Sequence, residues 1–358
     1  MDASGQPSLT PGSDAGAVTQ ALLAWYDAHA RVLPWRAPPG SAPMAAYRVW
    51  LSEVMLQQTT VAAVIPYFQK FTDRWPDVAA LAAAPSDEVM AAWAGLGYYS
   101  RARRLVECAQ VVAGMGGFPR DEAGLRALPG LGAYTAAAVA AIAFGQRAVV
   151  VDGNVERVVT RLYAIDTPLP AAKAQIRAAA DGLTPADRPG DFAQGLMDLG
   201  ATVCAPRSPK CLICPLSAWC AARGRGEAEL YPVKPPKAAK PARKGTAFWI
   251  THDGMVWLTR RAPKGLLGGM RALPDDGWAA RADGDGQTPL PGDWREAGTV
   301  AHVFTHFSLA LSVRVLNLAA AADLGEGEWW PVARLAQAGL PTVFARAADR
   351  AMATEDMT

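Results

Sequence analysis

The stretch LPGLGAYTA, Leu128 to Ala136, joins two segments of different character through a pair of glycines. Upstream, DEAGLRAL (Asp121–Leu128) has the spacing of a short amphipathic helix. Downstream, Ala133–Phe144 is an almost unbroken, alanine-rich apolar run that also reads as helix. The second helix then starts with backbone N–H groups that have no partner within the helix. An N-terminus bare of side chains suits a phosphate, bound without regard to base sequence. An ordinary helical hairpin has the same pattern, so the surrounding chain has to decide.

A chain of 358 residues, 51% of them hydrophobic, is long enough for two packed domains. Its apolar runs are shorter than the ~20 residues of a membrane span. The N-terminus, MDASGQPSLTPGSDAG, lacks the basic and apolar regions of a signal peptide and reads as a disordered tail over 1–17. A formal charge of +2 is too small to argue by itself for a polyanionic partner. Helical patterns fill 18–229, punctuated by turns such as WPDV, APSD and TPADRPGD. YPVKPPKAAKPARK follows, rich in proline and lysine, and a basic linker is expected over 230–245 with Lys234, Lys237, Lys240, Arg243 and Lys244. Beyond it the period becomes two. FWITHDGMVWLTR holds two β-rich runs around an Asp-Gly turn, and Phe307, Leu309, Leu311, Val313 and Val315 alternate with smaller or polar residues. The expected architecture is an all-α domain followed by an α+β domain over 246–350. No internal repeat is present.

Four of the five cysteines fall in CAPRSPKCLICPLSAWC as C-x6-C-x2-C-x5-C: Cys204, Cys211, Cys214 and Cys220. The tight central pair is a chelate spacing and nothing points to secretion, so metal ligation is favoured over disulfides. Spacing alone leaves zinc and an iron–sulfur cluster equally open, in either case as a structural site with four ligands. Cys108, within LVECAQVV, reads as a buried thiol.

Two carboxyl groups stand out. In WLSEVMLQQT, Glu53 shares a helical face with Val49, Trp50 and Leu56. A carboxyl on an apolar stripe is desolvated and becomes a proton donor near neutral pH, unless it reaches solvent or an arginine. In VVVDGNVERV, Asp152 stands just before a helix, where helix capping is the plain reading. The same geometry favours an anionic carboxylate. One protonated acid and one carboxylate suffice to break a glycosidic bond through an oxocarbenium-like transition state. GLGYYSRARR, Gly95–Arg104, adds two tyrosines and three arginines, residues that stack on bases and pair with phosphates.

Together with LPW, VIPYF and QGLMDLGA, these stretches occur in the order found in MutY-type adenine DNA glycosylases, which the chain resembles. These belong to the helix–hairpin–helix superfamily with endonuclease III. The resemblance is dense from Ala21 to Glu229 and thin in the C-terminal domain. It implies a 4Fe–4S cluster on the four cysteines and a double-stranded DNA substrate carrying 8-oxoguanine:adenine or guanine:adenine mispairs. It implies Glu53 and Asp152 as the catalytic pair, supported by Asn154 and Tyr134. Arg31, Trp35, Leu56 and Gln194 match adenine-pocket positions, Gln58 and Tyr98 match residues that wedge into the duplex, and Gly130 and Gly132 match a phosphate-binding hairpin. Lyase members carry a lysine where Tyr134 stands, so a monofunctional glycosylase is implied. The C-terminal domain resembles a Nudix-like lesion reader whose HVFTHFSL loop presents Thr305 and His306, with Thr305 replacing the usual serine. It lacks the acidic REx2EE helix, so no Nudix hydrolysis is expected there. A monomer in a bacterial cytoplasm completes the expectation. The rival readings are an endonuclease III-like lyase acting on oxidised pyrimidines and a non-catalytic iron–sulfur DNA-binding protein.

Overall fold

The computed structural model describes residues 14–235, 239–262, 265–320 and 322–355. The helices are α1 (Ala15–His29), α2 (Ala46–Leu56), α3 (Val61–Arg74), α4 (Val78–Ala83), α5 (Ser86–Trp93), α6 (Ser100–Gly114) and α7 (Glu122–Arg126). They continue with α8 (Ala133–Phe144), α9 (Gly153–Tyr163), α10 (Lys173–Leu183), α11 (Pro189–Thr202), α12 (Ala221–Gly224) and α13 (Thr342–Glu355). The strands are β1 (Ala242–His252), β2 (Met255–Arg260), β3 (Arg271–Ala272), β4 (Arg295–Val303), β5 (Ser308–Asn317) and β6 (Glu328–Pro331).

Two compact units emerge. One takes the chain up to Ala82 and again from Glu107 to Pro236; the other combines Ala83–Val106 with the chain from Lys237 onward. In the first unit α8 is the central element. It is apolar all round, with Thr135 to Ile142 buried, and packs against α2, α7 and α11. Its ends follow from its flanks: Gly132 is the N-cap and Gly145 closes the helix in the left-handed conformation. Asp121 caps α7 through a bond from the Gly124 N–H, and Gly130, at φ +78°, turns the chain into α8. Small residues allow close helix approach. A Cβ on Gly190 of α11 would lie 2.6 Å from the Ala141 carbonyl, and one on Gly200 would lie 2.6 Å from Asn154 Cβ.

The second unit is built on a mixed sheet in the order β3-β2-β1-β5-β4, with β6 also on β2. β1 and β2 form the hairpin at Asp253-Gly254; both residues have positive φ, as a two-residue primed turn requires. β1 and β5 run parallel, Ala242 opposite Ser308 through Thr251 opposite Asn317. One sheet face packs Trp249, Leu311 and Val313 with Phe344, Ala347 and Ala351 of α13. The other buries Phe248, Ile250 and Trp257 against Trp294 and Trp329.

Several boundaries move. α1 already begins at Ala15, because Val18 and Leu22 are buried and anchor its first turns, so the last three residues of the expected tail are helical. The first thirteen lie outside the described residues. The expected linker is shortened at both ends. Tyr231 is buried beside Ala164 and Ala222, while Ala242–Lys244 already pair with β5. Lys237 lies outside the described residues. The last helix runs past residue 350 to Glu355, whose carboxylate accepts bonds from Trp249 Nε1 at 3.1 Å and Thr251 Oγ1 at 3.2 Å.

The Gly200 contact yields a test. Gly200→Ala should force α11 away from the start of α9 and lower unfolding stability by about 1–3 kcal/mol in urea titrations. Stability equal to wild type would mean that α9 yields without cost.

Candidate active site

Glu53 lies in the last turns of α2 and is 6% exposed. Its Oε2 accepts a 2.6 Å bond from the Tyr134 hydroxyl at the start of α8. Gln57 Nε2 donates to Thr135 Oγ1 at 3.2 Å, tying the end of α2 to the same turn of α8. Burial pushes the Glu53 carboxyl up to about 7. The Tyr134 bond opposes that rise, Asp152 adds to it, and Arg36 opposes it further. The Tyr134 phenol is itself held well above its ordinary value, by burial first and then by the Glu53 and Asp152 charges. The Tyr134 hydroxyl thus supports Glu53 directly.

Asp152 is the N-cap of α9. Oδ1 accepts the N–H groups of Asn154 at 2.9 Å and Val155 at 2.7 Å, and Oδ2 accepts Asn154 Nδ2 at 2.9 Å. Capping and orientation coincide: the bonds that start the helix also fix the carboxylate. Asn154 Oδ1 in turn accepts Arg157 NH2 at 2.9 Å, and Arg157 Nε donates to the Cys204 carbonyl at 2.8 Å.

Of the other expected site residues, Trp35 is buried edge-on to Phe68, Gln194 is buried on α11, Leu56 is half-buried, and Gln58 is exposed with φ +58°. Arg31 is held by a residue that sequence reasoning missed. Asp198 of α11 is fully buried, accepting Arg31 Nε at 2.6 Å, Arg31 N at 3.0 Å and Arg36 NH1 at 2.6 Å. Asp198 lies inside the quoted QGLMDLGA and Arg36 directly follows LPW, but nothing local pairs positions 162 residues apart.

In the second unit, the Tyr98 and Thr305 hydroxyls lie 3.1 Å apart. Both residues, with His306, His302, Phe304 and Arg103, line a cavity of about 360 Å³. Tyr98 is exposed, takes φ +49°, and has the Arg101 guanidinium 5.1 Å from its ring centre. Lys240 Nζ donates to the Phe304 carbonyl at 2.9 Å, so a residue of the expected linker buttresses the loop.

Cys204, Cys211, Cys214 and Cys220 line one small cavity of the first unit together with Arg161. Among the described residues no three His, Cys, Asp or Glu side chains are gathered as ligands of a single metal ion. Burial pushes the Cys214 thiol up to about 11 and also raises Cys220, and neighbouring sulfurs add to both rises. A bound metal centre would have to displace those protons. Cys108 is buried, its thiol raised to about 12 by desolvation alone, which marks it as inert. Among the described residues no helix is long and apolar enough to cross a membrane.

Residues 51–184 match the HhH-GPD superfamily of base excision DNA repair proteins, the class to which a helix–turn–helix hairpin beside two carboxyl groups points, and residues 246–350 match a NUDIX domain family. The helical fold is similar to that of a thermostable thymine-DNA glycosylase, with a TM-score of 0.53 and 31% identity over 59% of this chain and 97% of that one. Human adenine DNA glycosylase is 38% identical over 83% of this chain and 66% of its own length. The adenine DNA glycosylase of Buchnera aphidicola subsp. Acyrthosiphon pisum is 36% identical over 68% and 69% respectively. The chain belongs to the adenine DNA glycosylase family. It spans just under two thirds of the human relative's length.

The raised Glu53 carboxyl makes stability depend on pH. The folded protein holds a proton between 4.5 and about 7 that the unfolded chain releases, so stability falls as pH rises through that window and levels off above it. Glu53→Gln removes this slope. The variant should gain on wild type as pH rises from 4.5 to 7, by on the order of 3 kcal/mol at the plateau. A constant difference in urea unfolding between pH 5 and 8 would show that the carboxyl is not held protonated.

Proposed function

We propose that the protein removes adenine paired with 8-oxoguanine or guanine in double-stranded DNA, hydrolysing the N-glycosidic bond without cleaving the strand. The observation that carries this is the pairing of a buried Glu53 carboxyl, bonded to Tyr134, with an Asp152 carboxylate fixed at the start of α9.

A base within the stack is out of reach, so adenine is flipped into a pocket formed by Arg31, Trp35, Leu56 and Gln194. Glu53, raised to about 7, donates its proton to adenine N7 and makes the base a better leaving group; as a carboxylate it then guides water to the sugar. Asp152, oriented by Asn154, stabilises the oxocarbenium ion. Tyr134 holds the Glu53 carboxyl and has no amine to form a Schiff base, which favours a monofunctional enzyme over a lyase. Gln58 and Tyr98 act as wedges, and their left-handed backbones support that role because non-glycine residues adopt this conformation at a cost. Gly130 and Gly132 offer backbone N–H groups to a phosphate.

In the second unit, Thr305 and His306 read the base opposite adenine. The two lesions differ at N7, an acceptor in guanine and a donor in 8-oxoguanine, and the Thr305 hydroxyl beside Tyr98 can accept from the latter. Cys204, Cys211, Cys214 and Cys220 would hold a 4Fe–4S cluster. Their common cavity, half-buried thiols and neighbouring Arg161 support this reading, and the cluster would bind the segment 204–220 to the helical core. The helical part is catalytic, the C-terminal part reads the lesion and a short basic segment between them links the two, in a monomer acting on bacterial cytoplasmic DNA.

Duplexes with a single 8-oxoguanine:adenine pair test the reaction. The adenine strand should break only after alkali, and borohydride should trap little protein on it; strand scission without alkali would reject the monofunctional reading. No excision at all would reject the reaction itself. Thr305 is tested separately. Thr305→Val should reduce the single-turnover preference for 8-oxoguanine over guanine about tenfold, the scale of one lost hydrogen bond, while Thr305→Ser keeps it.

A further inference from the structure

Arg161, near the end of α9, is 1% exposed. Its Nε donates to the Tyr231 carbonyl at 3.2 Å and NH2 to the Pro206 carbonyl at 3.1 Å. NH1 reaches the carbonyls of Cys204 at 3.3 Å and Ala205 at 2.7 Å, and the Cys204 sulfur at 3.2 Å. Among the described residues no carboxylate pairs with it. Asp198, the buried charge of opposite sign, is matched by two arginines. A guanidinium taken out of water with only carbonyl dipoles around it is disfavoured by several kcal/mol. What faces Arg161 is the cavity lined by the four cysteines. Four thiolates leave a metal centre with a net negative charge, which is the counter-charge otherwise missing.

We propose that Arg161 is the buried counter-cation of the four-cysteine metal centre: its charge and its N–H···S bond to Cys204 slow metal loss and raise the reduction potential of a cluster held there. A positive charge beside the centre favours its more reduced, more negative state, and hydrogen bonds to ligand sulfurs act in the same direction. The redox part rests on the iron–sulfur reading above. The counter-cation part applies to any metal bound by these thiolates. A purely mechanical role, clamping residues 204–206 to Tyr231, predicts something different, because it needs the forked geometry and not the charge.

Full-length wild type, Arg161→Gln and Arg161→Lys should be compared after anaerobic purification, for iron and zinc content, rate of metal loss to a chelator, and midpoint potential. In the titration one electron leaves the centre and reduces ferricyanide to ferrocyanide. Arg161→Gln should lose metal about tenfold faster or more and show a lower potential. Arg161→Lys should stay near wild type in both. Equal behaviour of all three proteins, or an equal change in both variants, overturns the proposal. Stoichiometric zinc in wild type would end the cluster reading alone; metal loss then decides, faster release from Arg161→Gln supporting the counter-cation and equal release overturning it. Wild type with neither metal overturns both. Should Arg161→Gln fail to fold, wild type labelled with 15N only in its guanidino groups replaces it. Pulsed electron–nuclear double resonance of the oxidised cluster must then detect a coupled guanidino nitrogen, and its absence overturns the hydrogen bond.

Discussion

Withdrawing the Glu53 carboxyl from water is the constraint around which the first unit is arranged. A carboxyl in that position must be either protonated or compensated, and this one is left only weakly compensated. Tyr134 supplies one hydrogen bond, Arg36 is drawn to one side by Asp198, and the Asp152 carboxylate adds repulsion. The outcome is an acid whose proton is shared out near neutral pH. Arg36 lowers the Glu53 value only slightly, because its guanidinium is paired with Asp198 rather than with Glu53.

The same unit treats its buried charges asymmetrically. Asp198 is satisfied by two side chains that were far away in sequence, and Asp152 by the N–H groups of the helix it begins. Arg161 is satisfied by four backbone carbonyls and a sulfur. The last arrangement leaves a positive charge without a carboxylate partner, and it does so beside the cysteines.

How much of this was legible depends on the range of the interaction. α8 was readable from Ala133 to Phe144, because an apolar run bounded by Gly132 and Gly145 has one physical solution. The Asp253-Gly254 hairpin and the alternation of β5 were equally local signals. The start of β1 was not, since Ala242–Lys244 are polar or small and become strand only by pairing with β5 some 66 residues later. The four cysteines, Glu53 and Asp152 each carry a local signature. Arg36, Asp198 and Arg161 carry none: Arg161 reads as an ordinary basic residue in a helix's last turn until residues 204–206 and Tyr231 close over it. Ala83–Val106, read as part of the helical domain, clusters instead with the second unit, where Arg260 pairs with Asp87 at 2.9 Å.

Alanine in the central helix has a consequence for how the sequence is able to vary. From Ala136 to Ala141 five of six side chains are single methyl groups, all buried, and α11 approaches the end of the helix through Gly190. There is almost nothing left to trim in that layer, and a carbon added at Gly190 meets the backbone of Ala141 and Ile142 instead of a side chain that could swing aside. Drift at these positions is therefore one-sided, with enlargement barred and reduction nearly exhausted. The helix that carries Tyr134 becomes a ruler of fixed thickness, against which the helices bearing Glu53 and Asp198 keep their spacing while the surface changes freely.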